Sequence, residues 1–329
     1  MKTSRKSHSA RTVPAVERDI SVSSAAKFLR LLSPIEGSWN DAPRDWIFRG
    51  LGDSEKFTLV PSSLRLPVPV LKYSEKSLIQ PRTHSDQVEV EYDLLWDFFR
   101  VADAQGLLIP EDSQIYRSPW ASAPIHEGVR AAIAGAGPWP FDELMSLAAL
   151  AQHHGVPTRL MDWSNDAFIA AYFGAADAAI RLERGEPGDS RFAVWCLNWR
   201  YVWERWPGDN PDNIKVLLVM APRATNPNLH AQGGVFTVHI VKPGTASAPI
   251  NRDPLDHVIE KCRGSVAIKA PVMRQITLPI RESGRLLRLL AAHNIHAASI
   301  FPGFDGVLKY LKEWRRWDKP PLSGDLPIH

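Results

Sequence analysis

The sequence predicts an α+β fold in one domain, built from small mixed or antiparallel sheets flanked by helices. Three observations carry this reading. Segments with helical period and segments with strand alternation are both present along the chain. No internal repeat and no clear linker divides them. The length, 329 residues with 44% hydrophobic and 23% charged side chains, is enough to bury a sizeable core and is ordinary for a globular protein.

The elements follow in chain order. Residues 1–20 are basic (Lys2, Arg5, Lys6, Arg11) and lack an apolar period, so a disordered tail is expected, with a contact arm for an acidic partner as the alternative. Ser21–Leu32 reads as a helix and Asp45–Gly50 as a short strand ending in Gly. About residues 66–87, a Pro-rich and then polar run predicts a loop insertion, and Val88–Ala104 has helical period. A second loop insertion, about 105–140, is broken by Gly106, Pro110, Pro119, Pro124 and Pro138 and leaves room for at most one short helix near Glu127–Ala134. Strands are expected at Phe192–Leu197, Lys215–Met220, Val235–Val241, Val266–Ile268 and Gln275–Ile280. Two helices close the domain, Arg285–His293 and Phe304–Trp317. The last is amphipathic, with Val307, Leu308, Leu311 and Trp314 expected inward and Lys309, Lys312, Arg315 and Arg316 outward. The domain therefore spans residues 21–318, followed by a C-terminal tail, 319–329.

Ala149–Asp177 is the densest stretch of unlike, punctuated residues. A helix bearing Leu144, Leu147, Ala148 and Ala151 is stopped by Gly155 and Pro157. Thr158–Trp163 is then extended, and Ser164 is expected to cap a second, largely apolar helix over Ala167–Ala176. Gln152, His153, His154, Thr158, Arg159, Asp162, Trp163 and Ser164 crowd the two turns. So many polar groups beside a core need partners, which either a ligand or an internal network supplies. By spacing, His154 falls with Leu147 and Ala151 on a core face, and His153 is the more exposed of the two.

Composition excludes several classes. A net charge of +3 is too small to mark a nucleic-acid-coating protein. Two cysteines, Cys196 and Cys262, have no metal-ligand spacing and fit a reducing compartment. Adjacent His153 and His154 point about 100 degrees apart on a helix and do not share a face, so no metal is expected. No run is apolar enough to span a membrane and no secretory signal begins the chain, so no membrane association and a cytoplasmic location are expected. Ser164 lacks the glycine-flanked elbow of a hydrolase, and no Walker loop is present.

The run Ala151-Gln-His-His-Gly-Val-Pro-Thr-Arg-Leu-Met-Asp-Trp-Ser164 closely resembles the central signature of the FRG domain. Phe48-Arg49-Gly50 resembles the tripeptide that gives the family its name, and Val60-Pro-Ser-Ser-Leu-Arg65 resembles the run after it. Gln232-Gly-Gly-Val-Phe236 and Phe301-Pro-Gly-Phe-Asp-Gly306 are similar to two later family runs, in the same order. The family name guarantees no chemistry, so function rests on the residues.

The same residues are also similar to the motifs of ADP-ribosyltransferase-like folds, in which a split pair of small sheets grips NAD. Arg49-Gly50 is similar to their early Arg, Asp162–Tyr172 to their strand end opening a helix, and Gln232 to the Glu or Gln before a late strand. This resemblance implies NAD as a substrate, with ADP-ribosyl transfer or NAD cleavage in a toxin or defence role. The implied catalytic set is Arg49, Asp162, Ser164 and Gln232. The implied nucleotide-binding set is Arg49, Gly50, His153, Arg159 and Trp163. Arg49 would clamp the pyrophosphate, Trp163 would offer a ring face, Ser164 would orient the ribose and Gln232 would bond a ribose hydroxyl. Gln232 cannot balance an oxocarbenium charge as a carboxylate does, and Asp162 is the nearby acid that would substitute.

Two other classes remain open on the residues. In a non-catalytic ligand- or partner-binding module, Arg49, Asp162 and Arg159 would form a fold-fixing ion network. In a nucleic-acid-binding or nuclease-like protein, the basic tail and the basic face of the last helix would contact the strand. The protein or nucleic-acid target is not named by the sequence.

Overall fold

The computed structural model describes residues 13–317, except 36–38, 40–41, 68–79, 113, 118–123, 206–213, 223–225, 243, 245–246, 263–267 and 269. In chain order the elements are β1 (Val16–Ser21), α1 (Ala25–Leu32), β2 (Trp46–Leu51), α2 (His84–Ala104), α3 (Gln114–Arg117), α4 (Pro124–Ile133) and α5 (Met145–His153). Then come β3 (Leu160–Ser164), α6 (Ala167–Glu183), β4 (Arg191–Asn198), α7 (Trp199–Arg205), β5 (Ile214–Val219), α8 (Pro227–Ala231) and β6 (Gly234–Val241). The chain ends with α9 (Leu255–Cys262), β7 (Met273–Pro279), α10 (Ser283–Ala291), α11 (Ala297–Ile300) and α12 (Phe304–Trp314). The strands form one mixed seven-stranded sheet in the order β1-β7-β4-β2-β3-β6-β5. Only β1 and β7 run parallel; the other neighbours are antiparallel. The expected α+β class holds.

The sheet is nearly two sheets. β2 pairs with β4 along its whole length, from Trp46 opposite Asn198 to Leu51 opposite Ala193. Its ladder with β3 has the single rung Phe48 opposite Ser164. Continuing that register would set Gly50 against Asp162, yet the strands part instead. Two half-sheets result, β1-β7-β4-β2 and β3-β6-β5, each with its own helical cover. Phe48, Val194, Cys196, Ile276 and Leu278 bury one face of the first half against α1, α6 and α10. Leu160, Phe236, Val238 and Ile240 bury one face of the second against α2, α4 and α5. The two remaining faces share a third core, in which Ile47, Trp195 and Met273 join Met161, Trp163 and Val235.

Gly50 draws β2 away from β3. A Cβ there would lie 1.9 Å from the Ala170 carbonyl oxygen and 2.6 Å from the Gly174 nitrogen, so the strand backbone rests directly on α6. The close approach anticipated at this glycine is to a helix.

Several expectations are corrected. The end of the supposed tail is β1: Ala15 and Val16 are buried, and the charges pair, Arg18 with Asp256 at 2.8 Å and Glu17 with Arg274 at 3.2 Å. Ser21 belongs to that strand, and the following helix begins at Ala25 with Ser24 as its cap. Helix α2 starts inside the first proposed loop, because Thr83 and Asp86 make a capping box. The second loop holds α4 and the single turn α3. Val266 lies outside the described residues and Ile268 is in no strand. The extended run after the Gly155 turn begins at Leu160, and α6 continues to Glu183. His154 is exposed and stacks near Phe98, while His153 is half-buried.

The last helix has the expected period but the opposite phase. Val307, Leu308, Leu311 and Trp314 are 46–57% exposed, and Gly306 and Glu313 are the buried positions. The reason is local: Gly306 packs on the Phe301 carbonyl, Tyr310 packs at a tilt against His296, and Glu313 accepts from the Tyr172 hydroxyl. Among the described residues no helix is long and apolar enough to cross a membrane.

Between α2, α5 and β3 lies a buried carboxylate. Glu91 Oε1 accepts from Ser63 Oγ (2.7 Å) and Gln87 Nε2 (2.8 Å), and Oε2 accepts from Trp139 Nε1 and Arg159 Nε, both at 2.6 Å. Arg159 and Glu91 are 3% and 4% exposed. Nearby His84 and His239 are buried, and desolvation followed by the positive charge of Arg159 lowers both pKa values to about 4. Arg252 adds to the depression at His84, and Glu91 opposes it.

Two outcomes follow from this hub. Arg159→Ala strands Glu91 as a buried acid and is expected to cost about 3–5 kcal/mol in denaturant melts; a change within experimental error would contradict the pairing. The two histidines stay neutral in the fold but take up protons in the unfolded chain, whose pKa lies near 6.5. Stability is therefore whole above that value and falls as pH drops toward 4, by up to about 3 kcal/mol for each histidine. Urea midpoints at neutral pH and near pH 4.5 test this: His239→Gln should flatten the slope, and a flat slope in the parent chain would refute it.

Candidate functional site

The cleft opens where β2 and β3 part. Its volume is about 360 Å³, and its walls include Arg49, Gly50, His153, Asp162, Trp163, Ser164 and Gln232. These are seven of the eight residues expected from sequence. Gln152, Phe48, Phe173 and Phe301 add to the polar and aromatic lining.

Arg49 bridges the gap. Its guanidinium donates to the backbone carbonyl of Asp162, which faces the place where the next rung of the ladder would be. The same nitrogen lies 3.5 Å from Asp162 Oδ2. The Arg49 side chain is 16% exposed and that of Asp162 is 56% exposed, so the pair sits at the cleft mouth with solvent on the acid.

Asp162 is aimed from the opposite side by Gln152, whose Nε2 donates to Oδ2 at 3.0 Å. Gln152 is itself fixed: its Oε1 accepts from Thr158 Oγ1 at 2.8 Å and from Ser62 Oγ at 3.3 Å. The Thr158 amide donates back to Ser62 Oγ at 3.0 Å, and the Ser63 amide donates to the Thr158 carbonyl at 3.0 Å. The 3-10 turn Ser62–Leu64 is thus docked on the turn between α5 and β3, and Ser63 reaches on to Glu91. Gly155, at φ +86°, lets the chain reverse there.

Three expected roles do not survive this geometry. Arg159 does not line the cleft; its Nε is committed to Glu91 beneath it. Trp163 is 3% exposed, its ring lies in the shared core and its indole N–H donates to Thr237 Oγ1 at 2.9 Å, so it has no free face for a ligand ring. Ser164 is not the helix cap. It ends β3, donates to the Gln232 carbonyl at 2.8 Å and accepts from the Asp166 amide at 3.0 Å, which leaves its proton spent. Asp166 caps α6 instead, accepting from Phe168 N and Ile169 N. The Ser164 bond fixes the turn before β6, where Gly233 takes φ +56°.

The other groups remain available. Gln232 Nε2 makes only a long contact, 3.5 Å, to the Ile300 carbonyl. His153 meets Asn228 Nδ2 at 3.3 Å, and desolvation and then His154 lower its pKa, so it is neutral at pH 7. Phe173 and Phe301 form an edge-on pair with centroids 6.0 Å apart and supply the aromatic surface that Trp163 does not. Asp162 is the only carboxylate among the described residues that line the cleft. Among the described residues no group of three or more His, Cys, Asp or Glu side chains could hold a metal ion.

Sequence reasoning passed over Gln152, Phe173 and Phe301 as site residues. Gln152 and Phe301 stand inside the recognised runs, which was the available signal; Phe173 looked like one more apolar position of a buried helix.

No curated protein and no solved structure matches the chain. The family model of the FRG domain matches residues 120–181, a span that holds α4, α5, β3 and most of α6, and with them Gln152, His153, Asp162 and Ser164. The chain carries an FRG domain, and one wall of the cleft is built from it.

Proposed function

We propose that the cleft is a nucleotide site that takes NAD as substrate, for ADP-ribosyl transfer or NAD cleavage. The observation that carries this reading is Arg49 held across the opening between the half-sheets, opposite the one cleft carboxylate. A guanidinium has five N–H donors in a rigid fork, and only one nitrogen of Arg49 is engaged by Asp162. The rest can meet the paired oxygens of a pyrophosphate. The cleft, at about 360 Å³, is near the lower end of small-molecule sites and suits the nucleoside-sized half of a dinucleotide.

Each remaining wall has a task in such a reaction. Phe173 and Phe301 offer aromatic surface to a base or a nicotinamide ring. Gln232 and neutral His153 can hydrogen-bond ribose hydroxyls. Cleavage breaks the bond from the ribose carbon to the nicotinamide nitrogen. The bonding pair leaves with neutral nicotinamide, and positive charge develops on the ribose. Asp162, aimed by Gln152, is the carboxylate placed to balance that charge. Water or an acceptor hydroxyl then adds to the ribose carbon and releases its proton to solvent. Without turnover, the same cleft serves as a non-catalytic nucleotide-binding module, the second reading, which the network fixing Gln152 and Asp162 also supports.

The test is incubation of the protein with NAD, reading thermal stabilisation and nicotinamide release together. Arg49→Lys should weaken NAD binding about tenfold or more, since one ammonium replaces a fork. It should leave the melt nearly unchanged, because a lysine ammonium can still donate to the Asp162 carbonyl and the pair with the solvent-exposed acid contributes about 1 kcal/mol at most. Asp162→Asn should keep binding and reduce nicotinamide release about a hundredfold. Stabilisation without release selects the binding module; neither signal from the parent protein would overturn both readings.

A further inference from the structure

A second concavity adjoins the cleft. It is a groove of about 640 Å³ that shares Arg49, Gly50 and Phe173 with the cleft and continues past them to Lys56, Arg65 and Arg252. Its character differs from the cleft's. Among the described residues four cations line it against the single carboxylate Asp177. That carboxylate is packed on the backbone of Gly52, where an added Cβ would lie 1.8 Å from Asp177 Oδ2.

Arg65 and Arg252 are mounted on the same small support. Arg65 Nε donates to the Val60 carbonyl at 2.9 Å, and Arg252 Nη1 donates to the Leu64 carbonyl at 2.6 Å. The Val60 carbonyl precedes the 3-10 turn Ser62–Leu64 and the Leu64 carbonyl ends it, and the Gln152 and Glu91 networks hold that turn in place. Among the described residues each guanidinium therefore has one donor anchored and the others unspent. Among the described residues neither arginine has a carboxylate within salt-bridge distance. Lys56, at the rim, stands 3.7 Å from Asp53, whose carboxylate is already paired with Arg181 at 2.7 Å. Phe57 is 48% exposed at the same rim. Gathering like charges is unfavourable without an anion: after partial desolvation, Arg49 is the next cause lowering the pKa of Arg65. Two forks anchored to one turn, an exposed ammonium and an exposed ring match a phosphate group with an organic substituent.

We propose that this groove is a phosphate-ester subsite, in which Arg65 and Arg252 grip the phosphate, Lys56 adds charge at the rim and Phe57 covers the esterified group. The subsite stands apart from the NAD reading, since none of these residues lines the cleft. Its shared wall allows one ligand to reach both. The ester is either a far phosphate of the nucleotide in the cleft or a phosphate of a nucleic-acid strand brought beside it.

Calorimetric titration of the full chain with inorganic pyrophosphate tests the subsite. We expect binding that weakens about tenfold in Arg65→Gln and in Arg252→Gln, each removing a charge-assisted fork. Lys56→Ala, a change at an exposed side chain, should weaken it a few-fold with an unchanged melt, which keeps the test valid if an arginine variant folds poorly. Arg49 borders both concavities, so Arg49→Lys is expected to weaken binding as well, and the three groove variants carry the assignment. No binding at millimolar pyrophosphate, or binding lost with Arg49→Lys but untouched by the three groove variants, overturns the proposal; the second result leaves the cleft reading standing. Two further titrations name the source. NADP bound more tightly than NAD, with the difference erased by Arg65→Gln, assigns the far phosphate of a dinucleotide. A short single-stranded oligonucleotide whose affinity falls with salt, and again with Arg65→Gln, assigns a strand.

Discussion

The buried carboxylate of Glu91 is the interaction on which the site depends. Four donors from four separate segments converge on its two oxygens: Ser63, Gln87, Trp139 and Arg159. An ionised acid in a dry interior is tolerated only with such full satisfaction. In satisfying it, the chain also fixes its own functional loops. Ser63 belongs to the turn that carries Arg65 and supports Arg252, and Arg159 immediately precedes the strand that presents Asp162. The cationic groove and the acid of the cleft thus hang from one polar network, and their spacing is set in the core rather than at the surface.

The cleft owes its existence to a strand that is better held by a helix than by its neighbour. With Gly50 lying on Ala170 and Gly174, β2 follows α6 and leaves β3 after one rung. That separation would leave the backbone carbonyl of Asp162 without a partner at the edge of β3. The Arg49 guanidinium takes the position of the missing strand donor. An arginine used this way satisfies the sheet and still faces the opening, which is how one residue serves both fold and site.

Much of this was legible in the sequence, and the exceptions have physical causes. Arg49-Gly50 at a strand end signalled a close approach and a cation beside it, and both are present. Ser164 and Asp166 are two good caps placed two residues apart, and propensity could not rank them; the bond from Ser164 to the Gln232 turn did. Arg159 looked like a ligand residue because its partner lies 68 positions earlier, on a helix whose buried face includes an acid. Arg252 sits in an irregular stretch with no period to mark it. In α12 the period was readable but the inward direction was not, since Gly306, a residue with no apolar side chain, decides it.

The half-sheets are wired in alternation. The chain lays β1 and β2 in one half, β3 in the other, β4 in the first, β5 and β6 in the second, and β7 back in the first. Neither half is a contiguous stretch of chain. The segment matched by the FRG family model contains one strand, β3, whose neighbours β2 and β6 both lie outside it. Cut out alone, it would bare both edges of that strand together with the apolar faces of α5 and α6. The recognisable segment is therefore a label rather than a module, and what can be grafted, swapped or inherited intact is the whole weave from β1 to α12.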